Sequence, residues 1–121
     1  MSDRREFRAY RMKLRNGKAE NYIRAHRSAN VWPEVIDGLA KAGIDRQVIF
    51  QCSEEIVIFE EAKDLGSSYT RLASDLRTRE WDEMVESWVE DYPRFDPKLG
   101  DISAPAVPIL FYFENGRLRT L

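Results

Sequence analysis

From Phe7 onward, Tyr10, Met12 and Leu14 alternate with Arg11, Lys13 and Arg15. A period of two sends successive side chains to opposite sides of a strand, so this spacing predicts a first strand with one buried and one wet face. Asn16-Gly17 supplies a turn, after which Ala19, Tyr22, Ile23, His26 and Ala29 recur at intervals of three and four. Those are the intervals of a helix face, and they place Tyr22 and His26 one turn apart on the same side. A second helix is predicted to begin at Val31-Trp32-Pro33-Glu34, because proline is tolerated in a first turn. It continues through Val35, Ile36 and Leu39 to a stop at Gly43.

Val48-Ile49-Phe50 and Ile56-Val57-Ile58-Phe59 are β-branched and aromatic runs separated by Ser53-Glu54-Glu55. They predict two antiparallel strands joined by a short hairpin loop. A weaker helical pattern runs from Leu65 to Ala73. Trp81, Met84, Val85, Trp88 and Tyr92 then fall on one helical face with charged residues between them, the strongest helical signal in the chain. Pro93, Pro97 and Pro105 punctuate a loop leading to Val107–Phe113, which is expected to be the final strand; Asn115-Gly116 marks a turn before a short returning strand or tail.

The order strand, helix, strand, strand, helix, strand predicts an α+β fold of the ferredoxin-like βαββαβ kind, with helices over one face of a four-stranded antiparallel sheet. The other face needs a cover, and a homodimer is the simplest one. Neither a repeat nor a linker interrupts the 121 residues, and a 43% hydrophobic share supports one core. Residues 1–121 are therefore expected to form a single domain.

Charge changes this picture little. Lys+Arg 19 and Asp+Glu 21 nearly cancel, leaving a net charge of -2, which argues against nucleic acid or an anionic membrane as a partner. The basic series Arg4, Arg5, Arg8, Arg11, Lys13, Arg15 reads as the wet side of the first strand, offset by Glu83, Glu86, Glu90 and Asp91. Cys52 is the only cysteine, so no intrachain disulfide forms, and its apolar setting predicts a buried, inert thiol. The start Met-Ser-Asp-Arg-Arg-Glu has no apolar signal core and no run is long enough for a membrane span, so a cytoplasmic location is expected.

His26 is the only histidine. Beside Tyr22 it offers a titratable imidazole next to a phenol, suited to general acid–base work near neutral pH. A zinc site would need more Cys and His ligands. A nucleophile triad would need the same histidine and a nucleophile elbow, and no phosphate loop or dinucleotide fingerprint is present. Simple proton transfer is what remains. Trp32, Trp81 and Trp88 could pack against the C–H faces of a sugar ring; Trp88, between Val85 and Val89, reads as core, whereas Trp81 reads as a helix-start residue lining a cleft mouth.

The succession Tyr22-Ile23-Arg24-Ala25-His26, then Trp32-Pro33-Glu34-Val35, then an apolar strand pair, then Trp81 resembles the L-rhamnose mutarotases over roughly residues 7 to 113. That resemblance implies a dimeric ferredoxin-like α/β barrel, a monosaccharide substrate and no cofactor or metal. It also implies that His26 protonates the ring oxygen as the anomeric hydroxyl loses its proton, with Tyr22 orienting a sugar oxygen or relaying the proton. Trp81 and Trp32 would contact substrate. Gln47 stands where the family has a substrate-binding tyrosine, Glu80-Trp81 where it has a Trp-Trp pair, and the interval from His26 to Trp32-Pro33 is two residues longer. Gln47 and Glu80 would then replace aromatic surface with hydrogen-bonding groups and favour a sugar other than L-rhamnose. Two other readings stand beside this one: a monooxygenase or haem-handling protein on the same barrel, and a non-catalytic sugar-binding or regulatory module.

Overall fold

A computed structural model describes residues 5–120; Arg4, counted in the basic series above, lies outside the described residues. Strand β1 (Glu6–Leu14) is followed by helices α1 (Ala19–Ala25) and α2 (Pro33–Lys41). The hairpin of β2 (Ile44–Cys52) and β3 (Glu55–Ala62) comes next, then α3 (Leu65–Ser74), α4 (Leu76–Glu86) and β4 (Val89–Glu90). These four strands make one sheet in the order β2-β3-β1-β4, the ferredoxin-like arrangement. Two further pairs, β5 (Arg94–Asp96) with β6 (Asp101–Ser103) and β7 (Phe113–Glu114) with β8 (Arg117–Leu118), belong to the C-terminal segment.

The period-two pattern of β1 fixes which residues meet the helices. Tyr10 lies opposite Ile58 and Met12 opposite Ile56, while Ile49 lies opposite Ile58 and Gln47 opposite Glu60. Directly opposed residues share a face, so an apolar floor under the helices carries Gln47 and Glu60 at one end. Leu14, Ile56 and Val89 are fully buried there, packed with Tyr22, Trp81 and Val85.

Local capping explains why the later helical pattern divides. The carboxylates of Asp64 and Asp75 accept the backbone N–H of Ser67 (3.0 Å) and Thr78 (2.9 Å), starting α3 and α4 separately. Gly43, at φ +86°, follows the C-terminus of α2 as expected. Gly38 lets α2 approach α4: a Cβ there would stand 2.9 Å from Thr78 Oγ1.

Three sequence expectations are corrected. The fourth strand is Val89–Glu90, with Val89 opposite Leu14 and Glu90 opposite Lys13, and not Val107–Phe113. The stripe through Trp88 and Tyr92 therefore leaves the helix at Glu86; the free edge of β1 captures Val89, and Asp91 turns the chain at φ +47°. The segment that was expected to be a strand instead bonds β1 locally, through Val107 N–H to Ala9 O (2.8 Å) and Arg11 N–H to Pro105 O (3.3 Å). Proline at 105 and 108 removes the donors a ladder would need. The chain then crosses to the far face of the sheet, where the Tyr112 ring lies 5.1 Å from Phe7 and 5.9 Å from Phe59. Buried Glu61 accepts bonds there from Arg119 (2.8 Å) and the Tyr112 hydroxyl (3.2 Å). The Asn115-Gly116 turn follows as expected, and of the strand or tail left open beyond it the structure has a short strand, paired through Leu118 with Phe113.

Second, Cys52 is exposed, because β2 is an edge strand and the residue closes it next to the hairpin turn. Third, the more deeply buried tryptophan is Trp81 and not Trp88. Trp81 lies in the middle of α4 and is only 7% exposed, whereas Trp88 is half-buried just past the helix. Among the described residues no helix is long and apolar enough to cross a membrane.

Candidate active site

Between the sheet floor and the helices lies a cavity of about 390 Å³, within the size range of small-ligand pockets. Tyr22, His26, Gln47 and Trp81 all line it. Trp32 does not; it stands behind Trp81, ring centroids 5.2 Å apart and edge-on at 78°. Glu80 lies on the outer side of α4 and pairs with Arg77 (3.0 Å), whose guanidinium covers the Trp32 ring at 4.5 Å.

His26 closes the short helix α1, and the four-residue interval brings Tyr22 directly beneath it: the two rings stack at 4.1 Å and 22°. Its Nδ1 lies 2.7 Å from the Tyr22 carbonyl oxygen. A carbonyl can only accept, so Nδ1 carries a hydrogen and donates, and Nε2 is the free atom of the neutral ring. Trp81 packs edge-on against the imidazole at 5.4 Å. Burial lowers the histidine's pKa from its ordinary value, with the bond to the Tyr22 carbonyl opposing the shift. Burial likewise raises the Tyr22 phenol, which keeps its proton.

Polar groups not singled out by sequence reasoning complete the cavity. Glu60, 2% exposed, accepts from Gln47 Nε2 on Oε2 (2.8 Å) and from the Tyr69 hydroxyl on Oε1 (2.7 Å). Asp82 accepts the Tyr92 hydroxyl on Oδ1 at 3.0 Å. Burial pushes the Asp82 carboxyl up to about 6; the Tyr92 bond opposes this and the charge of Glu60 adds to it. Tyr10 contributes a further phenol from the floor. Glu60 was findable, since it continues the inward series Ile56, Ile58 and a carboxylate on a buried strand face calls for partners. Asp82 carries no such mark among the charges of α4, and Tyr92 was absorbed into the helical stripe.

A ferredoxin-like sheet whose helix-covered face encloses a stacked His–Tyr pair, an indole wall and the carboxyls of Glu60 and Asp82 gives a small α+β protein with a cavity suited to proton transfer. Residues 8–106 match the L-rhamnose mutarotase family profile, and the chain belongs to that family. It is 32% identical over 79 residues to the L-fucose mutarotase of Xanthomonas campestris pv. campestris, a match spanning 63% of each protein. It is 35% identical over 80 residues to the L-rhamnose mutarotase of Burkholderia ambifaria, covering 64% of this chain and 75% of that protein. The crystal structure of an L-rhamnose mutarotase from Formosa agariphila shares the fold, with a TM-score of 0.64 at 21% identity over 90% of this chain and 99% of that one.

Proposed function

We propose that this protein is a monosaccharide mutarotase, interconverting the α and β anomers of an aldose by ring opening and reclosure. The observation that carries this reading is His26 itself: its orientation is set by the Nδ1 bond and by stacking on Tyr22, leaving Nε2 available in a cavity of sugar size. Tyr22, kept protonated by burial, donates a hydrogen bond to a sugar oxygen. The indole of Trp81 faces C–H groups of the ring, and Gln47 with Glu60 takes hydroxyls. Relatives named for L-rhamnose and L-fucose put 6-deoxyaldoses first among substrates. The polar floor extends the choice to more hydroxylated sugars.

Mutarotation already proceeds in water, so positioned acid–base help of about 10²–10⁴-fold suffices. The active form is a homodimer in which a second copy covers the far sheet face, on which Val48 and Phe50 (56% exposed) lie; Phe111 and Phe113 of the C-terminal segment are exposed as well. Saturation-transfer NMR between anomer signals, over L-rhamnose, L-fucose, D-ribose, D-galactose and D-glucose, tests the activity. Exchange accelerated by wild type and lost in a folded His26→Ala variant is the expected result. Saturable sugar binding with no acceleration for any sugar would instead make the protein a binding module.

A further inference from the structure

Ring opening requires two proton movements: the anomeric hydroxyl gives one up and the ring oxygen receives one. His26 can serve only one of them in a single step. With Nδ1–H committed to the Tyr22 carbonyl at 2.7 Å and burial favouring the uncharged ring, Nε2 presents a lone pair. In that state the histidine takes a proton, so another group must give one.

Four carboxyls line the cavity; Glu86 is paired with Arg94 and Glu83 is exposed, which leaves Glu60 and Asp82, whose surroundings differ. Glu60 accepts on both oxygens, from Gln47 on Oε2 and from Tyr69 on Oε1, so neither is without a donor. Asp82 uses Oδ1 for the Tyr92 hydroxyl (3.0 Å); among the described residues nothing bonds Oδ2 and no cation pairs with the carboxyl. It also adjoins Trp81, whose indole touches His26 at 5.4 Å. A pair of titratable groups pushed toward opposite protonation states in one cavity is how acid and base roles are divided.

We propose that Asp82 is the catalytic acid of this site and His26 its base for ring opening, an assignment that rests on the mutarotase reading. Nε2 of His26 takes the proton of the anomeric hydroxyl, and the freed electron pair forms the carbonyl at the anomeric carbon. The bond from that carbon to the ring oxygen breaks, its pair passes to the ring oxygen, and that oxygen takes the proton of Asp82 Oδ2. The open-chain aldehyde is left between an imidazolium and a carboxylate, with no change in net charge and no water or electrons consumed. After rotation about the bond next to the carbonyl, the same transfers run backwards on the other carbonyl face. His26 thus gives its proton in closure, whereas the family resemblance has it give one in opening.

The charged and titratable groups facing this pair set its pH response. Glu60 and Tyr10 face it from the sheet, Tyr69 from α3, Tyr22 from α1, and Tyr92 and Arg94 from beyond α4. Arg79, Glu83 and Glu86 line the cavity from α4 itself, Glu86 being paired with Arg94. Below the histidine's lowered pKa the base is lost, and above about 6 the acid is lost.

The test measures kcat/KM for anomer exchange against pH, using whichever sugar of the panel wild type accelerates, with Asp82→Asn and His26→Ala alongside. Asparagine keeps the shape of the side chain and an acceptor for Tyr92 but has no proton to give. The expected result is a bell-shaped wild-type profile, with Asp82→Asn slowed by about 10²-fold or more at little changed KM and without the alkaline limb. Asp82→Asn within twofold of wild type, with the same profile, would overturn the assignment while leaving the mutarotase reading intact. Should that variant not fold, the wild-type profile decides: a fall in rate across the whole range with rising pH, with no acid limb, makes His26 the acid and sinks the proposal. Absence of any acceleration by wild type would overturn both.

Discussion

Replacing Trp81 with alanine should be the most damaging single tryptophan change in the protein. The side chain is 7% exposed and joins the core of Tyr22, Val35 and Val85. It also makes edge contacts with His26 and Trp32 at 5.4 and 5.2 Å. A buried tryptophan removes roughly 200 Å² from water, worth about 5 kcal/mol at 25 cal/mol per Å² as an upper bound. Loss of the side chain leaves a cavity that the packed α4 cannot close, so a cost of about 3–5 kcal/mol is expected. For a chain of this length that corresponds to a fall in Tm of roughly 10–20 °C. Trp88→Ala, at a half-buried position past the helix, should cost about half as much or less. Thermal unfolding followed by far-ultraviolet circular dichroism measures both. Equal shifts, or a larger one for Trp88, would contradict this ranking, since that is what the helical stripe alone leads one to expect. Trp81→Phe should recover most of the stability while weakening sugar binding, which separates its packing from its place in the cavity wall.

Gly38→Ala should destabilise by about 1–3 kcal/mol despite alanine's better helix propensity. The new Cβ would stand 2.9 Å from Thr78 Oγ1, a hydroxyl already bonded to Asp75 at 2.7 Å; chemical denaturation checks this, and a stabilised variant would contradict the close approach of α2 and α4. Gln47→Ala takes one of the two donors from Glu60 and should raise KM for the accepted sugar about tenfold, the loss of one charge-assisted hydrogen bond, with kcat less affected; an unchanged KM would remove Gln47 from the sugar contacts. Arg119→Ala leaves buried Glu61 without its 2.8 Å partner. Faster amide exchange across residues 105–120 is expected, with the cavity helices unaffected, and uniform exchange across the chain would show that the C-terminal hairpin is not a separate latch.

Much of this architecture was legible in the chain because it depends on local periods. Alternation in Tyr10, Met12 and Leu14 and the four-residue interval from Tyr22 to His26 dictate the inward face of β1 and the stacked pair, whatever lies elsewhere. Glycine at 43 and the Asn115-Gly116 turn acted equally locally. The resemblance carried by Tyr22, His26, Trp32-Pro33 and Trp81 supplied the family, and the family profile agrees with it. Tertiary structure decided the rest. A spacing of four then three from Trp81 through Val85 to Trp88 cannot show that the helix stops at Glu86, because the competing claim on Val89 comes from the edge of β1, far away in sequence. The same holds for the carboxyls: Glu60 and Asp82 reach one cavity from a strand and a helix that only the folded sheet brings together. Which acid has a donor on each oxygen and which keeps one oxygen free follows from contacts between elements, and no period along the chain encodes those.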